Sequence, residues 1–373
     1  MSTENFFEVQ TPESRAKTGI VVDHFAAWQN IIGSRSGGEL AYLDLYAGPG
    51  RFEDGTDSTP PIIVRKMIES RFASRFRVVF NEKEPAYAAD LQKVIGSISG
   101  LNKLAAPPLF LNEELTRDNY QRFLREIADR PAIMFVDPWG YKGVTLDLFK
   151  GFVDGSWGRD AFFFFNYKRI NAGINVDQVK RREHMKAMFG ETRADQLDAQ
   201  LRPMRPDQRE VAIHQAMEDA LHETGVKFVE RFDFSRRGDS LFFITQNLKG
   251  LETAKSKMAK WSVRDDDGVA QFATQTEDQK RGQSSIFDMV PSFRPLAQLR
   301  KDLISTFAGQ SLTFSSLFQR HHPGTRFVEP NYREALKQME LDGEIQVTVI
   351  SGGKRQAGTF GPNVTIHFQR VKE

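Results

Sequence analysis

The 373-residue sequence contains no cysteine, which excludes disulfides, thiolate metal sites and any cysteine nucleophile. It has no apolar run near the ~18 residues a membrane span needs, so no membrane contact of that kind is expected. Neither sign of charge dominates. The formal net charge is +2, so any contact with nucleic acid must come from local patches. The opening "MSTENFFEVQTPES" lacks a basic stretch followed by an apolar one, and with the missing cysteines this predicts a cytoplasmic chain. No His/Asp/Glu spacing singles out a metal site, and His321 and His322 read as residues at the end of a helix. What is present, 40% apolar and 27% charged residues, describes a globular protein with room for one or two domains.

The chain is organised around Leu40–Gly50, "LAYLDLYAGPG", an apolar run that stops in glycines. A strand ending in a glycine turn lets a ligand approach the backbone, and a buried acid such as Asp44 needs a partner. Upstream, "AKTGIVVDHFAAWQNIIG" at 16–33 carries Ile20, Val21, His24, Phe25, Trp28, Ile31 and Ile32 at helical spacing, with Gly33 as its end and His24 as a packed core residue. Downstream, Pro60 and Pro61 open a helix, and a strand at Val78–Phe80 ends in Glu82 and Glu84. Further strands are expected at "LFLNEE" (109–114), "AIMFVDPWG" (from Ala132) and "AFFFFNY" (body Phe162–Phe165). Five strand–helix alternations imply a parallel sheet covered on both faces, with ligands across the carboxyl ends of its strands. Asp44, Gly48, Gly50, Glu82, Glu113 and Asp137 all fall on that edge.

Residues 166–226 read as helical and polar. From Lys168 to Lys186, Lys168, Arg169, Lys180, Arg181, Arg182 and Lys186 stand against Asp177 and Glu183, either a solvated face or a phosphate-contacting patch. "VKFVERFDFSRRGDSLFFITQN" reads as an antiparallel hairpin, 226–234 with 240–246, and "GLETAKSKMAKW" as a helix. The polar stretch 263–293 is expected to link a domain at 1–262 to a second at 294–373. In the latter, three helices and a hairpin with Lys354 and Arg355 at its tip describe a winged helix-turn-helix. Ten Lys/Arg against seven Asp/Glu from Leu296 to Glu373 leave DNA and protein contact equally open.

The glycine loop fails the dinucleotide fingerprint, because "AGPGRFEDG" has G-x-G and then Glu53. It fails as a P-loop too, since no lysine follows. A methyl-transfer pocket for S-adenosylmethionine fits better, because the sulfonium is already activated and the protein need only align a nucleophile and handle one proton. Asp137-Pro138-Trp139-Gly140 then resembles the D-P-P-Y turn of amino-methyltransferases acting on nucleic-acid bases. There Asp137 would orient the amine, the Pro138 carbonyl would accept its second hydrogen, and Trp139 would stack on the base. The ordinary alternative is a strand-ending turn with a buried Trp.

Four stretches, "YLDLYAGPGRFEDG" (42–55), "VVFNEKEPAYAADL" (78–91), "IMFVDPWGYKG" (133–143) and "LFFITQNLKGLETAKSKMAKW" (241–261), resemble the three-Cys-motif partner proteins, TcmP. That resemblance implies a Rossmann-like class I methyltransferase sheet with a C-terminal winged helix. It also implies S-adenosylmethionine as cofactor, and a radical-type cysteine-motif protein as partner. Asp44, Tyr46, Gly48 and Gly50 would then border the methionine and ribose, Glu82 the ribose hydroxyls, and Glu113 with Asn112 the adenine. A catalytic methyltransferase on DNA or RNA amino groups is the expectation. A SAM-binding regulatory partner that docks DNA or protein through its winged helix is the alternative.

Overall fold

The computed structural model describes residues 10–138, 140, 143–168, 179–234, 238–274, 295–350 and 352–370. The chain forms two compact units, Met1–Lys257 and Met258–Glu373.

The first unit begins with α1 (Pro12–Arg35), started by Thr11, whose hydroxyl accepts from the Ser14 N–H at 3.1 Å. Its stripe of Ile20, Val21, His24, Phe25, Trp28 and Ile32 is buried. Gly33 does not end this helix. It lies where the Phe72 ring packs, and a Cβ there would come within 2.7 Å of that ring. The strands that follow are β1 (Leu40–Asp44), β2 (Phe76–Asn81), β3 (Leu109–Leu111), β4 (Ala132–Val136), β5 (Asp160–Asn166), β6 (Phe228–Phe234) and β7 (Asp239–Thr245). They lie side by side in the order β3-β2-β1-β4-β5-β7-β6. The first five are parallel, whereas β7 runs antiparallel to both β5 and β6. The order reverses between β1 and β4, which places a crevice at the carboxyl ends of those two strands.

Helices α2 (Thr59–Ile68), α3 (Pro85–Gly96), α4 (Tyr120–Ile127) and α5 (Leu146–Asp154) connect the parallel strands. Every residue of β1, β4 and β7 is buried, as a sheet covered on both faces requires. Strand β3 is shorter than expected. Asn112 leaves the ladder because its side-chain amide donates to the carbonyls of Glu82 (2.7 Å) and Lys83 (3.0 Å). Between β5 and β6 come α6 (Val179–Phe189), α7 (Glu191–Leu201) and α8 (Pro206–Glu223). They are amphipathic rather than simply polar, since Met188, Leu197, Leu201, Ile213 and Met217 join the core. Helix α9 (Leu248–Trp261) follows the hairpin.

In the second unit, residues 263–274, expected as the start of a linker, form a turn closed by an Arg264–Ala270 bridge. Val269 is buried in that unit's core, and the apolar "VAQF" inside the polar stretch is what folds it inward. The remainder, 275–293, lies outside the described residues. Helices α10 (Pro295–Phe307), α11 (Phe314–His321) and α12 (Glu329–Leu341) pack on a small sheet of order β8-β10-β9, with β8 at Ser311–Leu312, β9 at Ile345–Val349 and β10 at Val364–Phe368. Leu299, Leu303, Phe307, Leu317, Tyr332, Leu336 and Met339 fill the core. This is a winged helix-turn-helix. His321, the last residue of α11, is hydrogen-bonded to Tyr332 (Nδ1 to hydroxyl oxygen, 2.7 Å), and buried His322, at the C-cap, donates back to the Phe318 carbonyl at 2.9 Å.

Candidate functional site

Asp44 is the last residue of β1 and is 1% exposed. Its Oδ1 accepts from the Tyr46 N–H at 3.2 Å and its Oδ2 from the Tyr42 hydroxyl at 3.3 Å. Burial pushes its carboxyl up to about 8, the Tyr46 amide pulls it back, and the neighbouring Asp137 carboxylate pushes it further up. Burial thus favours its protonated form, and a cation beside it would favour the ionised one.

The glycine loop leaves the strand at once. Gly48 and Gly50 have φ of +64° and +82°, the left-handed region that favours glycine. Its course is fixed by β2. The Ala47 N–H donates to the Asn81 carbonyl at 3.0 Å, and the Gly48 N–H donates to Glu82 Oε2 at 3.0 Å. Glu82 Oε1 accepts from the Glu84 N–H at 2.9 Å, so this buried carboxylate holds two backbone amides in place. Asn81 links three strand ends, donating to the carbonyls of Leu45 (3.1 Å) and Glu113 (3.0 Å) while accepting from the Glu113 N–H (3.2 Å).

Asp137 follows β4 directly, across the switch point from Asp44. Its Oδ2 accepts from Lys17 Nζ, and the Lys17 side chain is only 6% exposed. The same ammonium lies 4.2 Å from the centroid of the Phe164 ring. The first turns of α1 are fastened to α2 by a hydrogen bond between the Thr18 and Thr59 hydroxyls at 3.0 Å. These elements border a partly open pocket of about 40 Å³. Asp44, Tyr46, Gly48 and Asp137 line it from the sheet edge; Lys17 and Ser58 line it from α1 and the start of α2. The Ser58 hydroxyl, at the N-cap of α2, is buried with no hydrogen-bond partner among the described residues. The wall thus offers carboxylates on one side and an unpaired hydroxyl beside a helix N-terminus on the other. That donor set suits a small molecule bearing both cationic groups and a carboxylate.

The other expected residues fall outside this wall. Gly50 packs on α3, where a Cβ would lie 2.9 Å from Leu91 Cδ1, and Pro138 is buried behind Asp137. Asn112 is spent on the backbone after Glu82, and the Glu113 carboxylate is paired with Arg122 on α4. Trp139 and Arg169 lie outside the described residues, as do the side chains of Lys180 and Arg181. Arg182 is ion-paired with Asp195 at 3.1 Å, while Lys168 is exposed. On the wing, Lys354 is exposed, but Arg355 is bound by Glu340 of α12 and donates to the carbonyls of Gln356 and Thr359, each at 3.2 Å. Arg355 is therefore a fastening of the wing and not an open phosphate contact.

A second polar cluster, Ser240, His214 and Asp233, does not form a nucleophilic triad. Asp233 accepts from the Ser240 hydroxyl at 2.6 Å instead of orienting the histidine, and His214 Nδ1 donates to the Glu210 carbonyl at 2.8 Å. Sequence reasoning missed Lys17 and Asn81. The signal for Lys17 was a cation standing seven residues before His24, on the apolar stripe of α1.

A parallel sheet whose seventh strand is inserted antiparallel between the fifth and sixth, with a pocket at its switch point, defines a Rossmann-like class I methyltransferase fold, here joined to a winged helix. Residues 271–348 match the family model of the GMT-like wHTH domain. No curated protein matches the chain. Among solved structures, the chain is similar to LPL1258 of Legionella pneumophila at 11% identity, with 61% of this chain and 85% of that one covered and a TM-score of 0.36. It is similar to the human methyltransferase 10 domain containing protein at 10% identity, 61% and 83% coverage and a TM-score of 0.31. Trm1 of Pyrococcus horikoshii, solved with S-adenosyl-L-methionine, matches at 12% identity, 66% and 59% coverage and a TM-score of 0.31.

Proposed function

We propose that the chain is an S-adenosylmethionine-dependent methyltransferase that acts on an amine nitrogen. The observation that carries this is the convergence of Asp44, the Gly48 loop and Asp137 on one pocket at the switch point. S-adenosylmethionine, when bound, supplies a methyl group on a sulfonium that leaves as a neutral thioether. Asp44 and Asp137 offer negative charge to its ammonium and sulfonium, and Ser58 with the N-terminus of α2 offers donors to its carboxylate. Two prolines follow Thr59 in α2, so the Thr59 N–H is the only backbone donor of that helix's first three positions. Glu82 keeps the glycine loop open by holding the Gly48 amide, with lone pairs left for a ribose hydroxyl. Asp137 accepts an N–H of the acceptor, orients the nitrogen lone pair, and takes up the proton released on transfer.

The acceptor we favour is an exocyclic amino group of a DNA or RNA base, with Trp139 as the stacking surface and Lys168 toward phosphate; Lys354 is a separate phosphate contact of the winged helix. A three-Cys-motif protein is the partner this resemblance suggests. The non-catalytic reading, a regulatory SAM-binding protein docking through its winged helix, has its own support in the Lys17 ammonium that already occupies Asp137.

Isothermal titration with S-adenosylhomocysteine tests the pocket. Micromolar binding that weakens about tenfold or more in Glu82→Ala is expected, and absence of heat overturns the proposal. Transfer of labelled methyl to DNA, RNA and cell-extract protein in parallel separates the acceptors. Binding without transfer to any of them, unchanged by Asp137→Ala, selects the regulatory reading.

A further inference from the structure

Three carboxyl groups gather at this sheet edge: Asp137 and Glu82 are both close enough to Asp44 to act on it. The pocket deals with each differently. Glu82 is held by the amides of Gly48 and Glu84, and Asp44 by the Tyr42 hydroxyl and the Tyr46 amide. Asp137 alone among the three is given a full cation, Lys17.

That cation is placed unusually. Lys17 sits on the buried stripe of α1, where its chain turn is fastened by the Thr18–Thr59 hydrogen bond, and its ammonium also rests against the Phe164 ring at 4.2 Å. A lysine is seldom this deeply buried unless paired, because its charge is costly to desolvate. Here it lines the pocket itself, together with the carboxylate it pairs with. A ligand cation entering beside Asp137 therefore meets a site where a positive charge already stands. It must share the carboxylate, or draw it away and leave the ammonium on the aromatic face.

We propose that Lys17 is the specificity-determining residue for ligand charge in this pocket: a built-in counter-ion to Asp137 that holds back the pocket's preference for a cationic sulfonium over the neutral thioether. The inference rests on the reading of the pocket as an S-adenosyl site. Its consequence is stronger competition from the product. The carboxylates alone would bind the sulfonium-bearing donor tightly and release the product, which has lost that one charge, readily; Lys17 lowers that difference, so donor and product compete on closer terms. Only a differential interaction with the two ligands can do this, since a contact felt equally by both shifts nothing.

The test compares S-adenosylhomocysteine with sinefungin, an unreactive analogue that carries an ammonium-bearing carbon where the donor has its methylated sulfonium. Dissociation constants for both are measured by calorimetry on the full chain, in the parent, Lys17→Met and Lys17→Arg. Removing the ammonium leaves Asp137 without its cation, and one charge contact is commonly worth about tenfold in affinity or more. Lys17→Met is expected to shift the affinity ratio about tenfold toward sinefungin, and Lys17→Arg to return it to the parental value. A purely structural lysine would weaken both ligands together. An unchanged ratio in Lys17→Met, with both ligands still bound, overturns the proposal and leaves the cofactor reading standing. If the parent binds neither ligand, the cofactor reading itself falls. Circular dichroism melts of each variant guard against misfolding, and Lys17→Gln serves if Lys17→Met does not fold.

Discussion

Asp44 carries a carboxyl that stays protonated up to about pH 8, because burial outweighs the two hydrogen bonds it accepts. Its ordinary value in an unfolded chain is near 4, so between those limits the folded protein binds the extra proton. Stability contributed by this residue then falls as pH rises from about 4 to about 8. Asp44→Asn removes the dependence. Its thermal midpoint is expected to pull ahead of the parent's by about 3 °C per pH unit between 5 and 8, read by calorimetry across buffers. A constant gap across that range refutes the protonated Asp44. The same variant should lose most affinity for S-adenosyl ligands, so stability and binding move in opposite directions. Most of this was legible in the sequence: an acid inside "YLDLY", followed by glycines, announces a buried carboxyl at a strand end. Lys17 was not, because its partner lies 120 residues away and helical periodicity says which face a residue occupies, not what it meets there.

At the scale of elements, the carboxyl edge is tied by side chains crossing between strand ends. Asn81 of β2 reaches the residue after β1 and the loop after β3 with three hydrogen bonds. Asn81→Ala strands the buried Leu45 carbonyl and the half-buried Glu113 N–H, which costs about 1–3 kcal/mol. Urea denaturation of the parent and variant measures this, and a loss under about 0.5 kcal/mol shows that the edge holds without it. The existence and order of the strands could be read from apolar runs ended by polar residues. Their exact ends could not, because the side-chain amide of Asn112 turns to the carbonyls of Glu82 and Lys83 beyond β2, whereas Asn81 stays in the ladder. Arg355 teaches the same lesson on the wing. A basic hairpin tip in sequence becomes, in the fold, a clamp onto Glu340, a pairing set by the approach of α12 and invisible to local pattern.

For the whole molecule, near-neutral charge meets extensive internal pairing of arginines. Arg182, Arg300, Arg333 and Arg355 all have acidic partners. Binding to a non-specific duplex should therefore neutralise few phosphates, and log affinity should fall against log salt with a slope of about −2 to −3. Fluorescence anisotropy between 50 and 200 mM salt, roughly the range over which such slopes are resolved, provides the measurement. A slope steeper than about −5 would identify a broad electrostatic interface that the described cations do not provide.

Helix α1 joins two ends of the first unit. Lys17 meets Asp137 at the carboxyl edge, while His24 donates to Asp160 at 2.9 Å and the Trp28 indole donates to the Gly158 carbonyl at 3.0 Å, both at the start of β5. The helix is thus a ruler with two fixed marks. Its phase matters more than its composition: one residue inserted between Thr18 and His24 turns Lys17 by about 100° relative to His24. The pocket's resident charge would then be present in the chain and absent from the site.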